Sequence, residues 1–149
     1  LSFLLFNFPT AKIFIGDSGA YLMGSITALN VITTNNLNPN ISSFFFCTLL
    51  FYLFFEVFFS FFRKLYQKKS PVYPDDKHLH MLVYYKISSK YGKDKGNFLS
   101  SIFINCFYLL LVLPGLYFLE NPIISKYWFF SLLLIYTLIY SRLYRLTKN

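Results

Sequence analysis

Acidic residues are scarce in this chain. Among its 149 residues, six Asp and Glu face 14 Lys and Arg, and charged residues of both signs make up only 13%. A soluble domain carries about 25%, so this balance argues against one. The formal charge of +8 would suit a nucleic acid, but a nucleic-acid reader needs a basic face on a soluble body. Here the basic residues stand between apolar runs, and no nucleic-acid partner is expected. Cysteine is limited to Cys47 and Cys106, both inside apolar runs where a thiol acts as a small hydrophobe. That excludes a disulfide framework. A P-loop, a G-x-G-x-x-G turn and a G-x-S-x-G elbow are all missing, which excludes soluble nucleotide-enzyme machinery from this segment. The start at Leu1 lacks a methionine, and Leu1 to Phe8 has neither a basic leader nor a cleavage site. This pattern is read as the C-terminal part of a longer protein.

Apolar residues dominate what is present: 56% of the chain is hydrophobic, with 20 Phe and 13 Tyr. A genome biased toward A and T codons gives the same aromatic enrichment, so the aromatics receive no special role. The expected fold class is all-α, a polytopic membrane protein with about four transmembrane helices over 18–33, 43–62, 98–119 and 127–141. At 1.5 Å per residue the second is roughly 30 Å long, enough to cross the hydrocarbon core. Pro114-Gly115 predicts a kink near the far end of the third. In the first, Ala20, Gly24 and Ala28 recur every four positions, a face that lets membrane helices approach closely.

The loops alternate in charge. Residues 34–42 carry none, whereas 63–97 hold nine Lys and Arg. Threading four spans puts Lys12, the 63–97 loop and the C-terminal tail on one side, with every basic residue except Lys126. The positive-inside rule makes that side the cytoplasm.

The polar residues of interest then fall at the same face. Asp17 opens the first helix between Gly16 and Gly19. Two readings stand side by side: a helix cap, with Asp17 or Ser18 as the N-cap, or a carboxylate holding Mg²⁺. Glu56 sits within the second run and is expected to face the bundle, since a lipid-facing carboxylate is costly. His78 and His80 form H-L-H, whose imidazoles share a face in an extended segment and with Lys77 suit a diphosphate. A solvated loop with incidental histidines is the plain alternative. Zinc is disfavoured because no Cys or third His lies nearby.

Together these stretches resemble the polyprenyl-phosphate N-acetylhexosamine-1-phosphate transferase family, glycosyltransferase family 4. The family pattern F-N-x-P-x-A-K-(I/V)-F-M-G-D-x-G-S-x-x-L-G is similar to Phe6–Gly24, with Ile15 and Ala20 at positions usually Met and Ser. A second block resembles F-F-E-V at Phe54–Val57, Arg63-Lys64, Lys69-Ser70-Pro71 and P-D-D-K-H-L-H-M at Pro74–Met81. Glu56 stands where the family helix usually has Asp, and Met81 where a third His is common.

The resemblance implies transfer of a sugar 1-phosphate from a UDP-sugar, a UDP-N-acetylhexosamine, to undecaprenyl phosphate with release of UMP. It implies an enzyme of the bacterial inner membrane with Mg²⁺ as cofactor, Mn²⁺ as a substitute, and room for a homodimer. Asp17 is then the catalytic, metal-binding carboxylate, and Asn7, Lys12, Glu56, His78 and His80 are substrate-binding. The family's upstream acidic pair is not in these residues, so the segment alone is expected to be inactive. The H-L-H loop looks closer to the N-acetylglucosamine-type enzymes than to the muramyl-pentapeptide transferase, the runner-up. A non-catalytic transporter fragment is the rival of another class.

Overall fold

The computed structural model describes residues 2–8 and 12–148, apart from the side chains of Ser2, Asp94 and Lys148. Two compact units divide the chain, Leu1–Ile41 and Ser42–Asn149, and each is taken by itself.

The first unit holds α1 (Ser2–Asn7) and α2 (Gly16–Leu37). Gly16 opens α2 at φ 67°, in the left-handed region that a residue without Cβ enters freely. No residue of α2 is buried, and a Cβ built on Gly24 meets nothing within 4 Å. The Ala20–Gly24–Ala28 face is therefore open within this unit.

In the second unit, α3 (Ser43–Tyr66) starts where Ser42 accepts the Phe44 N–H, a side-chain cap for an otherwise orphaned donor. It ends in Arg63 and Lys64, cations placed at the negative end of the helix dipole. After a loop come α4 (Leu79–Tyr91), α5 (Lys93–Val112), a 3₁₀ turn (Leu113–Phe118) and α6 (Pro122–Lys148).

The 3₁₀ turn follows from Pro114. Proline brings no N–H for the Leu110 carbonyl four residues back, and the neighbouring Leu111 carbonyl accepts from the Trp128 indole at 3.1 Å. That bond ties the bend to α6. The start of α6 is fixed by Asn121, whose Oδ1 accepts the N–H groups of Ile123 and Ile124 at 3.1 Å each, with Pro122 as first helical residue.

Phe51 of α3, Leu79 and Leu82 of α4, and Phe129, Leu132, Tyr136 and Tyr140 of α6 form the core. The outer faces stay apolar and exposed, as at Leu53, Val57, Leu110 and Leu134. In water such surface is a liability, whereas in a bilayer it faces lipid.

Three helices among the described residues are long and apolar enough to cross a membrane: Ser43–Tyr66, Lys95–Phe118 and Pro122–Thr147. Helix α2, 22 residues long, lies outside this set because its hydropathy is lower. Its second half carries Asn30, Thr33, Thr34, Asn35 and Asn36, which dilute its apolar character. Against the expected 18–33, 43–62, 98–119 and 127–141, the helices cover 16–37, 43–66, 93–112 with its 3₁₀ extension to 118, and 122–148, so most ends reach further, the second starts as expected and the third stops a residue short. Apolar runs mark the hydrocarbon stretch, while caps and polar end turns carry each helix past it. The stretch 63–97, expected as a loop, contains α4.

The α4–α5 hairpin is close. A Cβ at Gly96 would come within 2.7 and 2.8 Å of Ser88 Cβ and Cα, inside any real contact. Gly96→Ala is therefore expected to lower stability by about 1–3 kcal/mol through overpacking. Thermal unfolding in detergent checks this, and an unchanged midpoint would mean the two helices part freely.

Candidate functional site

The first unit presents Asp17. The Asn7 amide clasps the chain ahead of it: Oδ1 accepts from Lys12 N at 2.8 Å and Ile13 N at 2.9 Å, and Nδ2 donates to Ile13 O at 2.8 Å. Residues 9–11 of the motif lie outside the described residues. Asn7 thus shapes the turn that leads into α2, and the Lys12 side chain is exposed beside it.

Ile15 is the N-cap of α2 and makes no side-chain cap bond. The cap reading of Asp17 and Ser18 is corrected accordingly: with Gly16 left-handed, the helix begins a residue early and Asp17 falls in its first turn. Its carboxylate is exposed and near the positive end of the helix dipole. It takes part in no ion pair or hydrogen bond among the described residues. A carboxylate held at a helix start and left free of protein donors suits a hard cation, which takes one or two carboxylates plus phosphate oxygens and waters. No group of three or more His, Cys, Asp or Glu that could hold a metal occurs among the described residues, so Asp17 can supply only part of a coordination sphere.

In the second unit Glu56 is a hub. Its Oε1 lies 3.0 Å from His78 Nδ1 and accepts the Leu79 N–H at 3.0 Å, while Oε2 accepts from the Tyr136 hydroxyl. One buried carboxylate from α3 thus caps α4, holds an imidazole and engages α6. Glu56 turns inward, and both its oxygens are occupied by protein groups.

His78 is the extended N-cap of α4 (φ −73°, ψ 153°), and the His78 and His80 rings stack 11° from parallel with centroids 5.6 Å apart. The shared face expected of an extended segment survives, although His80 already belongs to the helix. His80 is exposed but crowded. That crowding sets its imidazole below the ordinary value, against the pull of Glu56 and with repulsion from His78.

The end of α3 folds the preceding loop. Lys64 donates to the Pro71 and Tyr73 carbonyls at 3.2 and 2.7 Å. Arg63 grips Asp75 with both terminal nitrogens, at 2.9 and 3.0 Å, and Asp75 also accepts the Lys77 N–H at 2.7 Å. Burial alone would raise the Asp75 carboxyl, but Arg63 and the Lys77 amide outweigh it and hold it below 3.8. Alongside lies a cavity of about 410 Å³ lined by Lys64, Lys69, Ser70, Asp75, Asp76 and Lys77.

Because the folded Asp75 value lies below the unfolded one, its stabilisation is present above pH 3.8 and is lost as pH falls through the lowered value. Asp75→Asn should therefore flatten the acid limb of a melting-temperature profile. A variant that keeps the wild-type slope there would remove Asp75 from the acid response.

From the sequence, the tyrosines of the last run were expected only as interface anchors beside Trp128, and three of them prove structural. Tyr136, Tyr140 and Tyr144 stack along one face of α6, with centroids 6.2 and 5.9 Å apart. Tyr136 meets Glu56, and Tyr140 donates to the Lys77 carbonyl at 2.9 Å. Arg63 and Lys77 lie over the Tyr140 and Tyr144 rings at 5.9 and 5.7 Å. Their i, i+4, i+8 spacing was the available signal.

These elements define an all-helical, multi-pass membrane protein whose polar groups gather on the loop after α3 and at the start of α2. The family described as Glycosyl transferase family 4 matches residues 1–35, the stretch that contains Asn7, Lys12 and Asp17. The chain is 34% identical over 119 residues to an undecaprenyl-phosphate alpha-N-acetylglucosaminyl 1-phosphate transferase of Thermotoga maritima, covering 80% of this chain and 38% of the relative. It thus spans well under half of that relative's length. No solved structure matches. Both comparisons support membership of glycosyl transferase family 4.

Proposed function

We propose that this chain is part of an enzyme that transfers a sugar 1-phosphate, an N-acetylhexosamine 1-phosphate, from a UDP-sugar to undecaprenyl phosphate. A phosphate oxygen of the lipid attacks the β-phosphorus of the donor, the bond from that phosphorus to the oxygen bridging to the α-phosphate breaks, and UMP leaves. The lipid then carries a sugar diphosphate, the starting unit of a cell-envelope polysaccharide. The observation that carries this reading is Asp17: an exposed carboxylate without protein donors, in a helix's first turn, within the stretch that matches the family.

Asp17 would hold Mg²⁺, which when bound neutralises phosphate charge and aligns the phosphates for in-line attack. The Asn7 clasp keeps Asp17's approach turn in shape. On the second unit, the cavity beside Lys69 and Lys77 and the paired imidazoles of His78 and His80 offer donors for a nucleotide diphosphate. Glu56 acts through His78, holding its ring and capping α4. The reading places the basic loop and tail on the cytoplasmic face of the bacterial inner membrane, where a charged donor meets a lipid acceptor.

The test is the product. Full-length protein with UDP-N-acetylhexosamine and undecaprenyl phosphate should yield a lipid diphosphate sugar and UMP by mass spectrometry. A lipid monophosphate sugar with UDP would show a different reaction and overturn the proposal.

A further inference from the structure

A cleft of about 390 Å³ lies between α3, α4, α5 and α6, with Leu79 and Tyr136, the partners of Glu56, in its lining. Its walls are apolar: Phe103 and Phe107 of α5 stack parallel at 6.2 Å, and Ile139 and Leu143 of α6 line the same space. Two cations, Lys86 of α4 and Arg142 of α6, complete the lining, and no carboxylate does. Both cations are exposed, and neither takes part in an ion pair among the described residues. They belong to the end of the unit where α3 finishes in Arg63-Lys64 and α6 carries Arg145.

We propose that this cleft binds an anionic phospholipid of the surrounding bilayer, its phosphate on Lys86 and Arg142 and an acyl chain between α5 and α6. An apolar slot along membrane-crossing helices that ends in two cations without an ion pair among the described residues complements a lipid with one negative head and one chain to insert. Basic pockets between membrane helices recognise anionic head groups in this way, each cation near the surface contributing about 1 kcal/mol. The size of the cleft matches a single acyl chain and is small for a chain several times longer, which favours a bilayer lipid over a polyprenyl one. This site is independent of the transfer reaction proposed above, and its test reads no activity.

The test measures the thermal midpoint of the full-length protein in detergent as each lipid is titrated. Phosphatidylglycerol should raise the midpoint, because a ligand bound only by the folded state stabilises it. Phosphatidylcholine and inorganic phosphate should leave it unchanged. The K86Q/R142Q variant should show the wild-type midpoint without lipid, since both side chains are exposed. Its phosphatidylglycerol affinity should fall roughly 30-fold, from the loss of two such cations. Four results would each overturn the proposal: an equal shift from phosphatidylcholine, a full shift from inorganic phosphate alone, an undiminished response in the variant, or displacement of phosphatidylglycerol by equimolar undecaprenyl phosphate.

Discussion

Asp17→Asn in the full-length protein is expected to lower sugar 1-phosphate transfer by on the order of 10²–10³, the cost of removing one preorganised electrostatic partner of a charged transition state. The substitution keeps the size of the side chain and removes its charge. Stability should hardly change, because Asp17 is exposed and makes no cap bond. The loss should appear in kcat more than in KM, since charge neutralisation acts on the transition state beyond the ground state. An equal fall in melting temperature would instead assign Asp17 a structural task. A variant within twofold of wild type in kcat would take it out of the mechanism.

Glu56→Leu is expected to have the largest effect on folding. It leaves His78, the Leu79 N–H and the Tyr136 hydroxyl without their acceptor. Each buried donor left unsatisfied costs about 1–3 kcal/mol, so the second unit should unfold well below the wild-type temperature. Glu56→Gln, which keeps a carbonyl acceptor, should recover part of the loss. Hydrogen exchange adds a local readout, with the first turn of α4 opening sooner in the leucine variant. Wild-type exchange and an unchanged midpoint would show that the hub holds nothing together.

Asp17 stands out in the sequence because its signal is local: glycines on both sides, an apolar run behind it and a motif in front. Its detail was not, since only the left-handed Gly16 moves the helix start to Ile15 and so denies Asp17 and Ser18 the cap. The apolar runs placed α3 well and α6 late. Reading Asn121-Pro122 as a cap followed by a first helical residue would have corrected the latter. Helix α4 was hidden in a basic stretch, although Leu79, Leu82 and Val83 have the spacing of a buried helix face. The partners of Glu56 were beyond reach. His78 and Tyr136 lie 22 and 80 residues away, and neither hydropathy nor period encodes which tyrosine of α6 turns toward a carboxylate of α3. Helix α2 was read from the shortest and most polar run by its small-residue face, and its asparagines and threonines keep its hydropathy below that of the other three.

The central claim is that Asp17 serves a metal-assisted phosphoryl transfer to a lipid phosphate. Its most direct measurement is UMP release by purified full-length protein, wild type beside Asp17→Asn, as Mg²⁺ is titrated with UDP-N-acetylhexosamine and undecaprenyl phosphate present. The account predicts release that rises with Mg²⁺ and requires the lipid phosphate, with the variant about 10²–10³ slower at saturating metal. Release by the wild type that is indifferent to Mg²⁺, or a variant with an unaltered Mg²⁺ titration, would contradict it.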